Sequence, residues 1–416
     1  MPPFRVVVVG AGLAGSLLGN DLVQSDINCD VYEAKEPLSK REGYEIQLGA
    51  PALASFKACL TPEQQAAVIA KFGRSGGLVS SAPALFDTHF NMILDLRKFP
   101  SYTKSAPINR AVLRDLLRRP LNEAKRLHYH KKFKKYQVVK NPGKTDTIRV
   151  IFEDGSEELC DLLISAEGSR SPIGLNNIVL LRDCWRFMAK TSLPLSTLAR
   201  LPPVVTKGPV GAAKDGMIFF FSVYLPQAQR QEPTQEAPKN DFDSTAKYDE
   251  DSASLFWSLA IPAERVPAEG PNAIPDKLAF CVEQIKDWHP HFHEMLQVVG
   301  DSYIHAFQPR STHQPSKNWR TKARAKSSHS SEPGNNHVWL MGDSIHAMLP
   351  GRGMGGNQAM NDTADALPLI RGLVDKAAQG KVFFFAACAL HVAYVVSLIK
   401  TGLGFKPVDD APEFSD

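Results

Sequence analysis

The sequence predicts an α/β protein whose first domain is built on a Rossmann-like parallel sheet. Three observations lead to this prediction. Residues 6–9 are consecutive valines, as expected of a parallel strand buried on both faces. A glycine-rich turn, residues 10–15, and an apolar helix follow directly. A second short strand, residues 29–32, then ends at the acidic Glu33, and this strand–helix–strand order is typical of a parallel sheet.

The composition is that of a folded protein with more than one domain. The chain has 416 residues, of which 43% are hydrophobic and 22% are charged, so it can bury a sizeable core in two or three domains. Its net charge of +4 gives no overall attraction for nucleic acid. The six cysteines form no C-x-x-C pair, which indicates reduced thiols and a cytoplasmic protein. No basic leader precedes the first strand, so we do not expect secretion.

The turn after the first strand has the spacing of a dinucleotide-binding loop. Gly10, Gly12 and Gly15 form the pattern G-x-G-x-x-G. In this setting the amides of the helix N-terminus bind a pyrophosphate, and Glu33 accepts hydrogen bonds from the ribose hydroxyls. The motif alone does not distinguish a flavin dinucleotide from a nicotinamide dinucleotide.

A second glycine-rich stretch lies near residue 350. A predicted buried strand ends at Gly342 and Asp343, residues 351–356 contain four glycines, and a helix with apolar residues at helical spacing follows. Glycine lets a backbone approach a ligand closely, the amides of a helix N-terminus attract negative charge, and a carboxylate can hold hydroxyl groups. A flavin, which joins a ribityl chain to an electron-rich ring edge, fits these features.

This stretch resembles the Gly-Asp motif of the class A FAD-dependent monooxygenases, the aromatic-ring hydroxylases of the salicylate hydroxylase type. That motif reads GD-x-x-H-x-x-x-P, and Gly342, Asp343, His346 and Pro350 occupy its positions. A loop–helix junction that is merely rich in glycine is the alternative interpretation.

Two other segments resemble the same family. Arg41 and Gly43 lie in a turn like its Arg-x-Gly turn beside the cofactor. Residues 108–117 are similar to its R-x-x-L-R-x-x-L helix, in which the first arginine, Arg110 here, reaches the FAD. Either arginine could instead be a solvated surface charge.

The resemblance implies the fold, the cofactors and the reaction. The fold is an FAD-binding Rossmann-like domain of the glutathione-reductase type, with an inserted mixed β-sheet substrate domain and C-terminal helices. NAD(P)H reduces the bound FAD, and one oxygen atom of O2 enters a small organic substrate in fungal secondary-metabolite biosynthesis. Asp343 and Arg110 hold the cofactor, and the backbone amides of Gly355, Gly356 and Asn357 stabilise negative charge on the flavin.

The predicted domains follow from these motifs and from changes in composition. The cofactor domain has two parts, the substrate domain lies between them, and two polar stretches are surface loops. The boundaries are 1–180 for the first part of the cofactor domain, with 76–100 contributing to the substrate region, 181–335 for the substrate domain with polar loops 227–252 and 311–336, 336–375 for the second part of the cofactor domain, and 376–416 for a C-terminal helix and tail.

Long aromatic-rich strands are predicted at 217–225 and 254–261, and in the family such strands form a sheet that covers the flavin. Arg186 and Tyr224 align roughly with an Arg/Tyr pair that orients phenolic substrates in some fungal members. These two residues are therefore the candidate catalytic residues.

One motif departs from the family. Residues 166–171 resemble the Asp-Gly motif between the flavin and nicotinamide sites, but Glu167 replaces the usual aspartate and Gly174 replaces a following arginine. The departure affects the expected contact with the reductant more than FAD binding, and it motivates one alternative function, a non-catalytic flavin-binding paralogue. A flavin-dependent halogenase is the other alternative, although its W-x-W-x-I-P motif is only faintly matched by residues 256–262.

Two short segments have competing interpretations. Residues 131–136 are basic and aromatic, but a strand with its lysines in solvent is favoured over a nucleic-acid patch. His289, His291 and His293 could suggest a metal site, but Pro290 interrupts them and a helix follows, so no metal is predicted.

The C-terminal region contains an unusually apolar run. Residues 382–399 carry no formal charge over 18 positions, the lower limit for a helix that spans a bilayer. We favour an apolar helix packed on the cofactor domain. The alternative is a helix that associates with an internal membrane, where a lipophilic substrate would be dissolved.

Overall fold

The computed structural model describes most of the chain. The described residues are 3–37, 45–72, 83–98, 105–142, 145–173, 178–193, 195–198, 200–224, 253–300, 302–312, 318–325, 334–348 and 354–379. The strands are β1 Val6–Val9, β2 Cys29–Tyr32, β3 Glu45–Gly49, β4 Ala84–Phe86, β5 Met92–Asp95, β6 Ser105–Asn109, β7 Leu127–His128, β8 Phe133–Val139, β9 Thr147–Phe152, β10 Glu157–Cys160, β11 Leu162–Ser165, β12 Ile178–Leu180, β13 Cys184–Leu193, β14 Val210–Lys214, β15 Met217–Tyr224, β16 Ala253–Pro262, β17 His305–Phe307, β18 Arg310–Thr312 and β19 Val338–Leu340. The helices are α1 Leu13–Gln24, α2 Ala50–Cys59, α3 Pro62–Ile69, α4 Arg110–Glu123, α5 Leu195–Leu198, α6 Lys277–Gln284, α7 Pro290–Gln297, α8 Trp319–Ala325, α9 Asp343–His346 and α10 Gly355–Ala378.

Five strands form the parallel sheet that the sequence predicts, in the order β19-β11-β1-β2-β7. β1 lies at its centre and pairs in parallel with β11 and β2, so that Val9 lies opposite Ser165 and Tyr32. β19 extends the sheet beside β11, also in parallel. The carboxyl ends of four strands therefore meet at one edge, and the glycine-rich turn, Glu33, Glu167 and the Gly-Asp turn all follow strands at that edge.

Helices cover this sheet and complete a first hydrophobic core. α1 is buried over most of its length, because its apolar residues pack between the sheet and the neighbouring helices α4 and α10. Thr363 Oγ1 on α10 donates to the carbonyl of Ala14 on α1 at 3.3 Å. The core includes residues from distant parts of the chain, among them Leu17, Leu18, Leu113, Leu117, Leu121, Met360, Leu367 and Ile370.

A second, mixed sheet has seven strands in the order β17-β13-β16-β15-β14-β4-β5. The long strands β13, β16 and β15 pair antiparallel, and β14 pairs parallel with β4. The strands β4 and β5 come from the 76–100 segment. This is the inserted mixed sheet that the sequence predicts, and β16 contacts β3 of the cofactor domain.

The two faces of the mixed sheet differ because side chains alternate along each strand. One face is apolar, packs against α6 and α7, and forms the second hydrophobic core, in which the largest fully buried side chains are Phe187, Phe219, Phe221, Trp257 and Phe292. The opposite face holds buried polar groups, Arg186, Ser222, Ser254 and Ser258. The aromatic residues of these strands therefore divide between core and polar face, and only register decides which side chain lies on which face.

The basic segment near residue 133 forms an edge of a three-stranded sheet, β10-β9-β8. Phe133 is buried and the lysines that follow it are exposed, as predicted. Lys131 pairs with Asp154 at 2.6 Å and Lys132 pairs with Glu153 at 2.9 Å, so nearby carboxylates balance part of the basic charge.

Some predicted features lie outside the described residues: Arg41, Gly43, Gly174, Pro350, the 227–252 loop, much of the 311–336 loop and the apolar run 382–399. In the part of the chain that the structure describes, none of the helices combines the length and the apolar character that crossing a membrane requires.

Candidate functional site

The glycine-rich loop between β1 and α1 contains glycines of two kinds. Gly10 has φ +98°, and a Cβ atom placed there would lie 2.5 Å from the carbonyl oxygen of Ala166. A Cβ at Gly15 would lie 2.0 Å from the carbonyl oxygen of Gly10. By contrast, Gly12 has φ −70° and no neighbour within 4 Å of its added Cβ. The fold therefore requires Gly10 and Gly15, whereas Gly12 faces the open space where a pyrophosphate would bind.

Glu33, at the end of β2, folds back onto this loop. Its Oε2 accepts a hydrogen bond from the amide of Ala11 at 2.9 Å, and its Oε1 accepts one from the amide of Lys35 at 3.0 Å. Arg118 on α4 donates to Oε2 of Glu33 at 3.3 Å and, through Nε, to the carbonyl of Ala11 at 2.9 Å. Arg118 belongs to none of the predicted motifs, although arginines occupy every fourth position of one helix, at 110, 114 and 118, and this spacing was a visible signal.

Asp343 and Arg110 come together across the site. Asp343 begins α9 directly after Gly342, and it keeps solvent-accessible surface although many protein atoms surround it. Burial by the surrounding protein raises the pKa of Asp343, while the nearby charges of His346 and Arg110 oppose that rise. Arg110 is the first residue of α4, whose N-terminus is capped by Asn109 through a 2.8 Å hydrogen bond from the amide of Ala111.

The Gly-Asp turn is fixed from behind by Asp362 of α10. Gly342 adopts φ +60°, and its amide donates to Oδ2 of Asp362 at 2.6 Å. The imidazole Nε2 of His346 lies 2.6 Å from the same oxygen. Burial alone would lower the pKa of His346, but the Asp362 carboxylate raises it above its ordinary value. His346 thus supports the turn, and no local pattern around residue 346 indicates that Asp362 is its partner.

The N-terminus of α10 contributes the predicted amides. Gly355 and Gly356 begin the helix, and a Cβ at Gly356 would lie 3.7 Å from Leu13 Cδ1 at the start of α1. The side chain of Asn357 joins α10 to β3. Its Oδ1 accepts from the amide of Gly49 at 2.6 Å, and its Nδ2 donates to the carbonyl of Gln47 at 2.7 Å. The two helix N-termini, of α1 and α10, are therefore neighbours.

Glu167 lies at the same edge of the parallel sheet. Its Oε2 accepts a hydrogen bond from Ser171 Oγ at 2.9 Å, and Ser171 in turn lies 2.9 Å from Ser165 Oγ. Burial raises the pKa of Glu167 to about 7, and the charge of Glu33 acts in the same direction. The residue that departs from the family motif is thus close to Glu33 and is held against its own strand.

Arg186 and Tyr224 lie far apart along the mixed sheet. Arg186 lies opposite Ala260 on β16, whereas Tyr224 lies opposite Ser254, which is six positions earlier on the same strand. At about 3.3 Å per residue the two backbones are roughly 20 Å apart. Both positions fall on the polar face of the sheet, and the prediction that they act on one substrate group stays a prediction. The side chain of Tyr224 lies outside the description, and its individual role stays a prediction.

Arg186 itself is placed to meet a ligand. It is 8% exposed, and its Nη1 donates to Ser258 Oγ at 2.7 Å on the polar face of the mixed sheet. Its Nε is buried without a hydrogen-bond partner among the described residues. Burial lowers the pKa of Arg186. A buried guanidinium with an unused donor is suited to bind an oxygen-bearing ligand.

The histidines near residue 290 serve the local fold. His289 caps α7 by accepting a 3.2 Å hydrogen bond from the amide of His291, and His293 contacts the carbonyl of Ile285 at 2.8 Å. No group of three or more metal-binding side chains occurs in the ranges that the structure describes.

The described site fits a flavin dinucleotide. Gly12 leaves open space at the N-terminus of α1, Asp343 presents a solvent-accessible carboxylate, and Arg110 lies close to that carboxylate. The fold and the site together define the class of dinucleotide-binding α/β flavoproteins.

Comparison with known proteins shows which flavoproteins this chain resembles. Residues 284–378 match the family model of the FAD binding domain. The chain is 22% identical over 394 residues to the dual O-methyltransferase/FAD-dependent monooxygenase elcB of Phaeosphaeria nodorum, covering 86% of this chain and 39% of that protein. It is 23% identical over 316 residues to the FAD-dependent monooxygenase dbaB of Emericella nidulans, covering 70% of this chain and 76% of that protein. The chain thus spans about two fifths of the length of the first relative.

Solved structures show the same fold. One, solved as an FAD-containing monooxygenase from Photorhabdus luminescens, has a TM-score of 0.69 at 22% identity and covers 96% of this chain and 97% of its own. Another is HpxO of Klebsiella pneumoniae in complex with FAD and uric acid, with a TM-score of 0.61 at 18% identity and coverage of 93% and 82%. The predicted fold, the resemblance to the class A FAD-dependent monooxygenases and the prediction of FAD as cofactor are confirmed.

Proposed function

We propose that this chain is an FAD-dependent monooxygenase that uses NAD(P)H and O2 to insert one oxygen atom into an organic substrate of secondary metabolism. The observation that carries the proposal is that three distant parts of the sequence come together at Asp343. Arg110 lies near its carboxylate, a Cβ at Gly355 would lie 3.9 Å from its Oδ1, and a Cβ at the preceding Gly342 would lie 3.8 Å from Ala14 Cβ at the start of α1. The similarity to fungal FAD-dependent monooxygenases supports the reaction class.

The protein residues would bind and orient the cofactor. The amides at the start of α1 bind the pyrophosphate, Glu33 holds the adenosine ribose, and Asp343 and Arg110 hold the ribityl part. The first amides of α10 face the flavin ring edge and stabilise negative charge there. Bound FAD supplies the redox chemistry and the activation of O2, so no side-chain nucleophile is required.

The polar face of the mixed sheet would form the substrate wall. Arg186 is our candidate substrate-contacting residue, because its buried Nε has an unused donor and Ser258 fixes its orientation. We expect Arg186→Gln to raise KM for a phenolic substrate while leaving FAD occupancy unchanged. Arg265→Gln, at an exposed arginine of the same domain, is the matched control. An unchanged KM would exclude Arg186 from the substrate site.

The halogenase alternative finds less support in the fold. Its tryptophan motif is matched here only by Trp257, which is fully buried and packs in the core behind the mixed sheet. The alternation of side chains along β16 directs Trp257 away from the polar face that bears Arg186. A non-catalytic flavoprotein is the other alternative, and the altered segment at Glu167 is the feature that favours it.

One experiment separates these functions. The purified chain is examined by absorption spectroscopy for bound flavin and is then incubated with NADH or NADPH, isotopically labelled O2, chloride and candidate phenolic substrates. A product that contains one labelled oxygen atom supports the proposal. A halogenated product would indicate the halogenase, and bound flavin that neither nicotinamide reduces would indicate the non-catalytic protein.

For residues 382–399 we favour a helix packed on the cofactor domain, and association with a membrane is the alternative. The uncharged run motivates it. Flotation of the chain with lipid vesicles, compared with a version that ends at residue 380, tests it. If equal fractions of the two versions float with the vesicles, residues 382–399 do not bind the membrane.

A further inference from the structure

Arg118, which no motif assigns, lies at the adenosine end of the site. It belongs to α4, the helix that begins with Arg110, and eight residues of helix separate the two arginines by about 12 Å. Arg110 lies near Asp343 at one end, and Arg118 contacts Ala11 and Glu33 at the other. One helix therefore carries an arginine to each end of the dinucleotide site.

The contacts of Arg118 form a closed ring. The amide of Ala11 donates to Glu33 Oε2, Arg118 donates to the same carboxylate oxygen, and both Nε and Nη2 of Arg118 donate to the carbonyl of Ala11. Ala11 is the residue between the first two glycines of the loop. The ring thus links the loop, the end of β2 and α4 through one guanidinium.

Burial makes this arrangement costly to leave incomplete. Arg118 is 5% exposed, and the side chain of Glu33 is 12% exposed. A buried carboxylate beside a pyrophosphate site would repel the ligand unless a cation compensates it. Tyr129 also lies against the guanidinium, with its ring centroid 5.8 Å from Arg118 Cζ, and helps to fix its position.

We propose that Arg118 is a positioning residue for the adenosine half of the dinucleotide, acting through Glu33 and the backbone of Ala11. It holds the Glu33 carboxylate in the orientation that accepts from the ribose, and it balances the carboxylate charge near the pyrophosphate. This inference rests on the proposed function. The ligand class is an adenosine diphosphate group, whether it is free or part of FAD.

The test compares ligand affinities of full-length variants. We expect Arg118→Gln to raise the Kd for FAD by about ten- to a hundredfold, the range for losing a buried charged hydrogen bond. The Kd for ADP, which lacks the flavin, should rise in parallel. Arg371→Gln is the matched control, because Arg371 pairs with Asp21 at 2.9 Å between α10 and α1, and it should leave both affinities unchanged.

A double-mutant cycle separates positioning from general destabilisation. Because Arg118 acts through Glu33, we expect the double variant Arg118→Gln/Glu33→Gln to bind FAD about as weakly as the weaker single variant. Additive losses would overturn the proposal, and so would an ADP affinity of Arg118→Gln equal to that of the control. If Arg118→Gln does not fold, Arg118→Lys carries the same test, with a smaller rise in Kd expected because lysine cannot bind both groups in the same geometry.

The failures of the two proposals are distinguishable. A wild-type chain that binds ADP but not FAD overturns the proposed function, while a loss of ADP affinity in Arg118→Gln still supports the inference. A wild-type chain that binds FAD with an affinity unaffected by Arg118→Gln overturns only the inference. A wild-type chain that binds neither ligand overturns both.

Discussion

The imidazole Nε2 of His346 lies 2.6 Å from Oδ2 of Asp362, and the amide of Gly342 donates to the same carboxylate oxygen. One carboxylate on α10 thereby holds both ends of the short Gly-Asp turn that presents Asp343. The pair is almost completely buried. His346, the histidine of the Gly-Asp motif, therefore stabilises the turn that presents Asp343.

Asp362→Asn should destabilise the fold and the turn. We expect a loss of about 1–3 kcal/mol in the free energy of unfolding, since buried partners are left incompletely paired. The pKa of His346 is raised in the folded state, so the stabilisation from the pair is fully present below the unfolded pKa of histidine and is lost as the pH rises through the higher folded value. Denaturant unfolding of the variant and the wild type at several pH values measures this effect.

The difference in stability between wild type and Asp362→Asn should therefore be larger at acidic than at alkaline pH. Asp365→Asn, one turn further along α10, is the control, because Asp365 accepts only from Asn361 among the described side-chain contacts. A pH-independent difference would contradict the assignment of the pair.

Glu167 should make stability depend on pH in the opposite way to an ordinary salt-bridged carboxylate. Its pKa is raised to about 7, so between the unfolded value and 7 the folded state holds a proton that the unfolded state has lost. Stability should fall as the pH rises through that window, and Glu167→Gln should remove this slope. Chemical denaturation at pH values from about 4.5 to 8 measures it. Glu153→Gln, at an exposed carboxylate, should leave the slope in place.

Gly15→Ala should lower folding stability, whereas Gly12→Ala should lower FAD affinity. A Cβ at Gly15 would clash with the backbone of Gly10, so we expect a loss of about 1–3 kcal/mol in folding stability. A Cβ at Gly12 meets nothing, so stability should change by no more than about 0.5 kcal/mol while FAD affinity falls. Denaturation without ligand and FAD titration report the two effects separately. Full FAD affinity in a well-folded Gly12→Ala variant would place the pyrophosphate elsewhere.

Asn357→Ala should loosen the contact between α10 and β3. The amide of Gly49 donates to its side chain and the carbonyl of Gln47 accepts from it, and the substitution removes both hydrogen bonds. We expect about 1–3 kcal/mol of destabilisation in denaturant unfolding. Asn361→Ala, one turn along the same helix, is the control, because Asn361 contacts only the Asp365 side chain in the described hydrogen bonds. Equal losses for the two variants would show that the contact to β3 is unimportant.

The sequence by itself determined the parallel sheet and the edge at which the site forms. Four valines, a glycine-rich turn and an acidic strand end predict a βαβ unit, because a strand buried on both faces and a helix that begins at a glycine turn are local features. The Gly-Asp stretch predicted a second strand and helix that reach the same edge. Since the carboxyl ends of parallel strands coincide, Gly12, Glu33 and Asp343 could be expected to meet.

Only the tertiary structure decided which partners hold these residues. Arg118 bonds Glu33 across 85 positions of sequence, and Asn357 bonds the strand at Gly49 across 308. Local spacing carries no information about such pairs, because they depend on how helices pack on the sheet. The register of β13, β16 and β15 likewise decided the distance between Arg186 and Tyr224, since each residue along a strand adds about 3.3 Å. Register also decides which face a side chain occupies, because a shift of one position moves it to the other face.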